Sequence, residues 1–284
     1  MSRESTLDRD VTTTVPRAGS APRRRGGNGP LKVWLWLPPL LVLGAVVVAW
    51  YAISASLGDR SFILPTPEKI LAVLARDSTR AEILAGFGVT LQTTLAGLAA
   101  AAVIGIVWAI AMSQAKWIER STYPYAVILQ SIPILAITPI IAFWAPDGFT
   151  ARTIVCVLIA LFPMVSNTYF GLQSVDRSHR ELFKLQNANR WTVLTRLQLP
   201  AAQPAIFAGL RISAGLAVVG AIVGDFFFQQ GVIGLGALMR KYQARLQMDE
   251  LFTSVLLASL FGVAVFLLFG LIARLAVGKW YDFG

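Results

Sequence analysis

Few residues in this sequence could do covalent or metal chemistry. Cys156 is the only cysteine and His179 the only histidine in 284 residues. One cysteine allows no intrachain disulfide, and one Cys with one His makes no metal site. No nucleophile, acid–base pair or metal constellation stands out. The polar groups that draw attention are isolated ones inside or beside apolar runs: Gln130, Ser131, Asn167, Thr168, Arg211 and Asp225. Amides and hydroxyls in such places either hydrogen-bond between helices or line a pathway. A carboxylate within a membrane is costly and therefore carries a functional reading. For Asp225 that reading is a gate or docking contact, and the plainer one is a carboxylate near an interface that reaches water. Phe226-Phe227-Phe228 follow it and either narrow an outer opening or face lipid. Arg211 either snorkels to a surface or serves a gate.

A second polar feature is a segment. ELFKLQNANRWTVLTRLQLP, Glu181 to Pro200, is rich in Lys, Arg, Gln and Asn between two strongly apolar stretches. Asp176 and Ser178 are candidate N-caps for a helix over its first part. Leu182 and Leu185 are three apart and share a helical face, with Phe183 beside them. Asn187-Ala188-Asn189 interrupts the pattern, and Asn tolerates the left-handed conformation, so a turn is expected there. A second short helix, about 190–198, puts Trp191, Leu194 and Leu197 on one side. Leu199-Pro200 ends it, and Pro204 restarts a membrane helix. The segment thus reads as helix, turn, helix at a membrane surface. Its basic residues can touch anionic lipid, and its exposed apolar side chains suggest a protein-binding knob.

The elements that must position these residues are membrane spans. Hydrophobic residues make up 56% of the chain and the mean hydropathy is +0.64. A helix crossing the hydrocarbon core needs about 20 mostly apolar residues. Six segments qualify, at roughly 33–54, 85–112, 122–144, 150–172, 204–228 and 251–276. Small residues such as those of Ala96-Gly97-Leu98-Ala99-Ala100-Ala101-Ala102 let helices approach closely, which implies a packed bundle. The net charge of +10 sits in tails and loops between apolar runs, which favours a membrane-facing role and not nucleic-acid binding. With the N-terminus inside, sixteen Lys and Arg fall on the cytoplasmic side and eight opposite. Both termini are therefore expected to be cytoplasmic, and the multi-pass chain belongs in the plasma membrane.

Residues 1–30 lack apolar periodicity and read as a disordered cytoplasmic tail. Residues 31–57 follow as the first transmembrane helix, and 58–284 as the main transmembrane domain, with a cytoplasmic loop at 173–199. The first apolar run is too long for a typical secretory signal, so no cleavage is expected. On the opposite side, Pro67 could open a short amphipathic helix capped by Thr66, with Ile70, Leu71 and Leu74 on one side. Gly231, Gly234 and Gly236 suggest a bent segment at the outer mouth.

On these residues the segment resembles the cytoplasmic loop signature of ABC importer permeases, E-A-A-x3-G-x9-I-x-L-P. Glu181 takes the acidic position, Leu182 and Phe183 the alanines, Asn187 the glycine, Leu197 the isoleucine and Leu199-Pro200 the Leu-Pro, without gaps. Asn for Gly keeps a turn available, whereas Leu and Phe for alanines are a larger departure. Residues after Pro200, together with Gln130-Ser131-Ile132-Pro133, Phe162-Pro163, Gly224-Asp225-Phe226 and Gly234-Leu235-Gly236, are similar to the branch importing sulfonates, taurine, nitrate and pyrimidine precursors.

The resemblance covers roughly residues 60–278. It implies an all-α membrane protein with six transmembrane helices, the type I ABC importer permease fold, and a cytoplasmic coupling helix at 176–190. It also implies a permease pair, a homodimer by preference, with a cytosolic ABC ATPase dimer below and an extracytoplasmic solute-binding protein above. Glu181, Leu182, Phe183, Leu185, Asn187, Ala188, Trp191, Leu199 and Pro200 are the implied ATPase-coupling residues. Gln130, Ser131, Asn167, Arg211, Asp225 and Phe226 are the pathway or gate candidates. The chain has no G-x-x-x-x-G-K-[ST] phosphate loop, so it is expected to be a non-catalytic subunit without cofactor or metal, its partner binding ATP and Mg. The competing class, a secondary transporter driven by an ion gradient, calls for inverted repeats and midplane coupling carboxylates. The acidic residues here lie mostly in loops, and no repeat is evident.

Overall fold

The structure is a computed structural model that describes residues 31–58 and 63–278, with the side chains of 31–36 left out. The expected tail at 1–30 lies outside the described residues. Two units are distinguished, Met1–Trp50 and Tyr51–Gly284. The described part of the first is the bulk of α1, Leu31–Ser56, whose run through Pro38 and Pro39 remains helical. Prolines are tolerated inside membrane helices where other groups satisfy the freed carbonyls.

The second unit starts with the last turns of α1, where the Ser54 hydroxyl donates to the Leu64 carbonyl at 2.9 Å. A short helix α2, Pro67–Val73, follows with Thr66 at its N-cap and Pro67 in the first turn. The cap is a matter of backbone, since the Thr66 carbonyl accepts from Lys69 and Ile70. The expected apolar face of α2 needs correction. Ile70 and Val73 are buried, whereas Leu71 and Leu74 are exposed. Residues three apart share a face, and Thr253 selects which one by donating to the Ile70 carbonyl at 2.8 Å.

Three long helices form the core: α3, Asp77–Gln114; α6, Gly148–Gln173; and α9, Leu199–Phe227. Small residues fix their separation. A Cβ added at Gly97 on α3 would lie 2.2 Å from Cys156 Sγ, and one at Gly220 on α9 would lie 2.7 Å from Cys156 Cα. Cys156 is therefore a packing residue between the two neighbours of α6, and its thiol donates to the Ala217 carbonyl at 3.2 Å. Ala101, Ala160, Ala214 and Ala217 complete a small-residue interior, the kind of surface that lets membrane helices reach van der Waals contact. The helix α11, Met248–Val277, lies against α9, and its Phe261 meets Phe87 of α3 edge-on at 5.1 Å.

All six expected apolar segments are helical, but the third is broken. It starts at Lys116, earlier than expected, and comprises α4, Lys116–Ser131, and α5, Ile134–Trp144, inclined at 102°. The cause is local. The proline ring disfavours the helical region for the residue before it, and Ile132 before Pro133 adopts φ −68°, ψ 125°. Pro124, Pro139 and Pro163 leave their helices intact.

A second correction concerns Leu199-Pro200. It does not separate two helices. The turn α8, Arg190–Val193, runs through a widened π turn at Leu194–Gln198 directly into α9. The Leu199 amide bonds the Leu194 carbonyl, five residues back. That wider winding makes room for the Pro200 ring, which would otherwise press on the carbonyl of the preceding turn. The helix that follows α9, α10, Leu235–Ala244, packs on α9 and α11. It is tied to α3 by the Lys241–Glu82 ion pair and by the Tyr242 hydroxyl donating to Glu82 at 3.0 Å.

Candidate functional site

The polar segment forms a projection between the two most closely packed core helices, α6 and α9. Its first helix, α7, spans Arg177–Leu185 and has no buried residue. Asp176 takes the N-cap position, but its side chain caps nothing, and Ser178 lies inside the helix. The Arg180 guanidinium anchors the helix by donating to the Gln173 carbonyl at 2.8 Å.

The chain turns away from α7 at Asn187, whose φ is +51°. The Asn187 amide bonds the Lys184 carbonyl at 3.0 Å and the Ala188 amide bonds that of Phe183 at 3.0 Å. This pair of bonds is the Schellman arrangement, with Asn187 at the left-handed position glycine usually takes. Asn189 has a separate role: its side chain accepts from the Thr192 amide at 2.7 Å and caps α8. An N-cap asparagine is among the strongest helix-start signals in a sequence, yet the turn reading absorbed this residue and missed its cap.

The apolar side chains of the segment divide into two sets. Leu182 and Leu185 on α7 and Trp191 on α8 are exposed, Leu185 at 81% and Trp191 at 72%. Leu194 is buried against Met112, Tyr169, Leu172 and Ala202, with Leu199 packed beside them. Trp191 and Leu194 thus do not act as one face: the second roots the projection and the first is offered outward. Glu181 and Pro200 are exposed, and Phe183 and Ala188 are half-buried.

At the opposite end of α6 and α9 is a buried charge cluster. Asp225 is 0% exposed and Arg152 3% exposed, so Asp225 does not reach water at an interface as one reading had it. Arg152 Nη1 donates to Asp225 Oδ1 at 3.0 Å and to the Val232 carbonyl at 2.9 Å, while its Nε donates to the Gly148 carbonyl at 2.8 Å. The Thr90 hydroxyl donates to Asp225 Oδ2 at 2.5 Å and accepts from the Leu235 amide at 2.9 Å. One carboxylate thereby joins α3, α6, α9 and the start of α10. Glycines permit it: a Cβ at Gly234 would lie 1.9 Å from Asp225 Oδ2, and one at Gly236 would lie 2.1 Å from the Ile222 carbonyl oxygen. The Gly231 bend, at φ +77°, carries the chain into this approach. Val232, Gln230 and Arg152 also border a cavity of about 600 Å³ with Val89, Gln92 and Asp147. Outside the spans, Asp147 caps α6 through Thr150 at 2.9 Å, and that backbone bond holds its carboxyl below the ordinary value.

Between the two ends, the α4–α5 break opens a groove of about 530 Å³ lined by Gln130, Phe162, Pro163, Ser166, Asn167 and aliphatic side chains. Gln130 and Asn167 are thus brought together. Ser131 is not among its lining residues and bonds back to the Val127 carbonyl at 3.1 Å. Arg211 lies in a separate cleft with Phe266 and Gly270, its guanidinium 4.0 Å from the Phe266 ring centre. Phe226 is half-buried beside Phe227, with ring centres 5.6 Å apart. Among the described residues, no group of three or more His, Cys, Asp and Glu is placed to hold a metal ion.

The described residues thus combine helices long and apolar enough to cross a membrane, one of them in a sharply bent pair, with a groove at that bend and an exposed polar helix. The chain belongs to the family described as binding-protein-dependent transport system inner membrane component, whose model matches residues 101–279. It is 32% identical over 230 residues to the formylaminopyrimidine transport permease protein ThiX of Halalkalibacterium halodurans, covering 81% of this chain and 90% of that one. It is 30% identical over 267 residues to the riboflavin transport system permease protein RibX of Chloroflexus aurantiacus, covering 94% and 98%. A crystal structure of an amino acid ABC transporter with histidines shares the fold, with a TM-score of 0.55 at 15% identity over 72% of this chain and 97% of that one. The chain is thus a multi-pass permease subunit of an ABC importer, with the type I permease fold, and works with ATPase and binding-protein partners.

Proposed function

We propose that two copies of this chain form one translocation pathway, that both termini are cytoplasmic, and that α7 with its turn is the coupling element for a cytosolic ATPase dimer. The observation that carries this reading is the exposure of Leu182, Leu185 and Trp191 on a projection rooted by buried Leu194. Apolar side chains held out on a short helix suit a groove in a partner protein. Glu181 and Phe183 flank that surface, Asn187 and Ala188 set the turn, and Leu199-Pro200 tie it to α9. Closure of the ATPase dimer would then move the projection, and α6 and α9 with it, as rigid bodies. ATP and Mg belong to the ATPase, and this chain takes no cofactor of its own.

At the far end, Asp225 and Phe226 lie beside the loop 228–234 that faces a solute-binding protein. The solute belongs to the set of sulfonates, taurine, nitrate and pyrimidine- or riboflavin-type precursors. The test is assembly. Burying a leucine is worth roughly 1.5–3 kcal/mol, so Leu185→Asp should weaken co-purification with the ATPase at least tenfold while the permease alone keeps its thermal stability. Undiminished assembly of Leu185→Asp and Trp191→Asp, or uptake that follows an ion gradient without ATP, would overturn the reading.

A further inference from the structure

We infer that the cleft between α9 and α11 that holds Arg211 and Arg274 is a site for the phosphate of an anionic membrane lipid. The inference needs only that these two helices cross a bilayer, so it stands apart from the coupling and solute readings above. The helices run antiparallel: Gly262 faces Val218, Gly215 faces Phe266 and Gly270 faces Arg211. Gly270 leaves the space that the guanidinium fills, since a Cβ there would press on Arg211 Nε at 3.1 Å. The opening measures about 380 Å³ and is walled by Ala208, Ile212, Phe266 and Ala273 besides the two arginines.

The cations in this cleft lack an acceptor. Arg211 Nε is buried without a hydrogen-bond partner among the described residues, and neither guanidinium is paired with a described carboxylate. Arg211 lies over the Phe266 ring at 4.0 Å. That stacking covers one face and leaves the N–H groups to donate in the guanidinium plane. On α9 the first acidic residue is Asp225, about 21 Å along the axis from Arg211 at ~1.5 Å per residue. On α11 none follows Glu250. A buried donor left unpaired is costly, and a phosphate supplies the missing acceptors in the geometry that suits a guanidinium.

Depth points to a lipid as the source of that phosphate. Glu250 and Arg274 bound the uncharged run of α11, and at ~1.5 Å per residue they are about 36 Å apart. The hydrocarbon core is about 30 Å thick, so Arg274 falls at headgroup level, in the leaflet at the end of the bundle where α9 begins. Beside the row Phe266, Gly270, Arg274, the next row of α11, Leu267, Leu271 and Leu275, is exposed and offers an apolar surface to acyl chains. Basic pockets between helices at this depth suit anionic headgroups. A choline lipid brings its own cation, which two arginines repel.

The test is lipid binding to the purified permease–ATPase assembly in neutral detergent. The assembly is titrated with phosphatidylglycerol or phosphatidylcholine, and bound lipid is counted by native mass spectrometry. Phosphatidylglycerol should bind with at least tenfold tighter apparent affinity. Arg211→Gln and Arg274→Gln should each weaken it about fivefold, the order expected for one basic side chain near a membrane surface. The double variant should bring it close to phosphatidylcholine. Arg211→Lys, which keeps the charge but not the planar fork, should fall between Arg211→Gln and the parent. Co-elution with the ATPase shows that a variant is folded, and exposed Arg274 carries the test alone if Arg211→Gln fails to assemble. Millimolar inorganic phosphate should leave the bound phosphatidylglycerol in place, because the acyl chains hold it too. Three results would overturn the inference: equal binding of the two lipids by the parent, an Arg274→Gln variant with the parent's preference, or displacement of the lipid by inorganic phosphate, which would make the cleft a site for a soluble anion. Each would leave the importer reading standing, because that reading is decided by assembly and ATP dependence.

Discussion

Replacing Arg152 by Met tests whether the buried charge cluster around Asp225 is a structural keystone. The pair lies at 3.0 Å, and at an effective dielectric of ~20 the gross attraction of two unit charges at that distance is about 5–6 kcal/mol. Desolvation of both ions offsets much of it, so the pair itself has a small net value. Deleting one partner is different, because the other is left charged and buried, at a typical cost of about 3–5 kcal/mol. Arg152→Met also frees the Gly148 and Val232 carbonyls, which places the expected loss at the upper end of that range. Asp225→Asn should cost less, about 2–3 kcal/mol, because an amide can still accept from Thr90 and Arg152 keeps two carbonyl acceptors. The double variant, with neither charge, should be markedly less destabilised than the sum, with a coupling energy of roughly 2 kcal/mol or more. Reversible unfolding in mixed micelles under an SDS titration supplies the four free energies. Single-variant costs that add within about 0.5 kcal/mol, or an Arg152→Met loss below about 1 kcal/mol against the ~3–5 above, would refute the reasoning.

Two further outcomes are expected. Asn187→Gly should preserve ATP-coupled uptake, because glycine takes φ +51° freely. Asn187→Val should impair uptake, since a β-branched residue there is strained by about 1–2 kcal/mol; equal uptake by both variants would remove the turn argument. Asp147 links α6 to pH in a definite direction. Its folded pKa lies below the ordinary 3.8, so the cap contributes stability above that value and loses it as pH falls through the lower, folded one. Hydrogen exchange of the first turn of α6 should therefore be flat from neutral pH down to about that value after correction for intrinsic rates, and Asp147→Asn should flatten the acid limb.

The positions of the apolar helices and of the projecting segment were legible because both are written locally. Twenty apolar residues cannot be left in water, and the left-handed turn at Asn187 depends only on its own side chain and four neighbouring residues. The break at Ile132-Pro133 is just as local, yet several other prolines in the spans leave their helices unbroken. Residue type does not separate them, since Tyr123, Thr138 and Phe162 also precede prolines and stay helical. The second helix of the projection was misjudged for a related reason. Pro200 looked like a stop, but a π turn absorbs its ring, and packing of Leu194 and Leu199 into the core holds that turn in place.

By itself, the sequence determined a membrane protein of six apolar segments and a polar helix closed by a turn between two of them. Those properties follow from hydropathy over about twenty residues and from backbone sterics over a few. The tertiary structure alone decided what Asp225 does. Its partners, Arg152 and Thr90, are 73 and 135 residues away. Arg152 meets Asp225 only because α6 and α9 pack closely over Cys156 and Gly220. It likewise decided that Gln130 and Asn167 share a groove while Ser131 and Arg211 do not. A buried charge is fixed by what packs around it, and that depends on the contact of small faces on helices far apart in the chain.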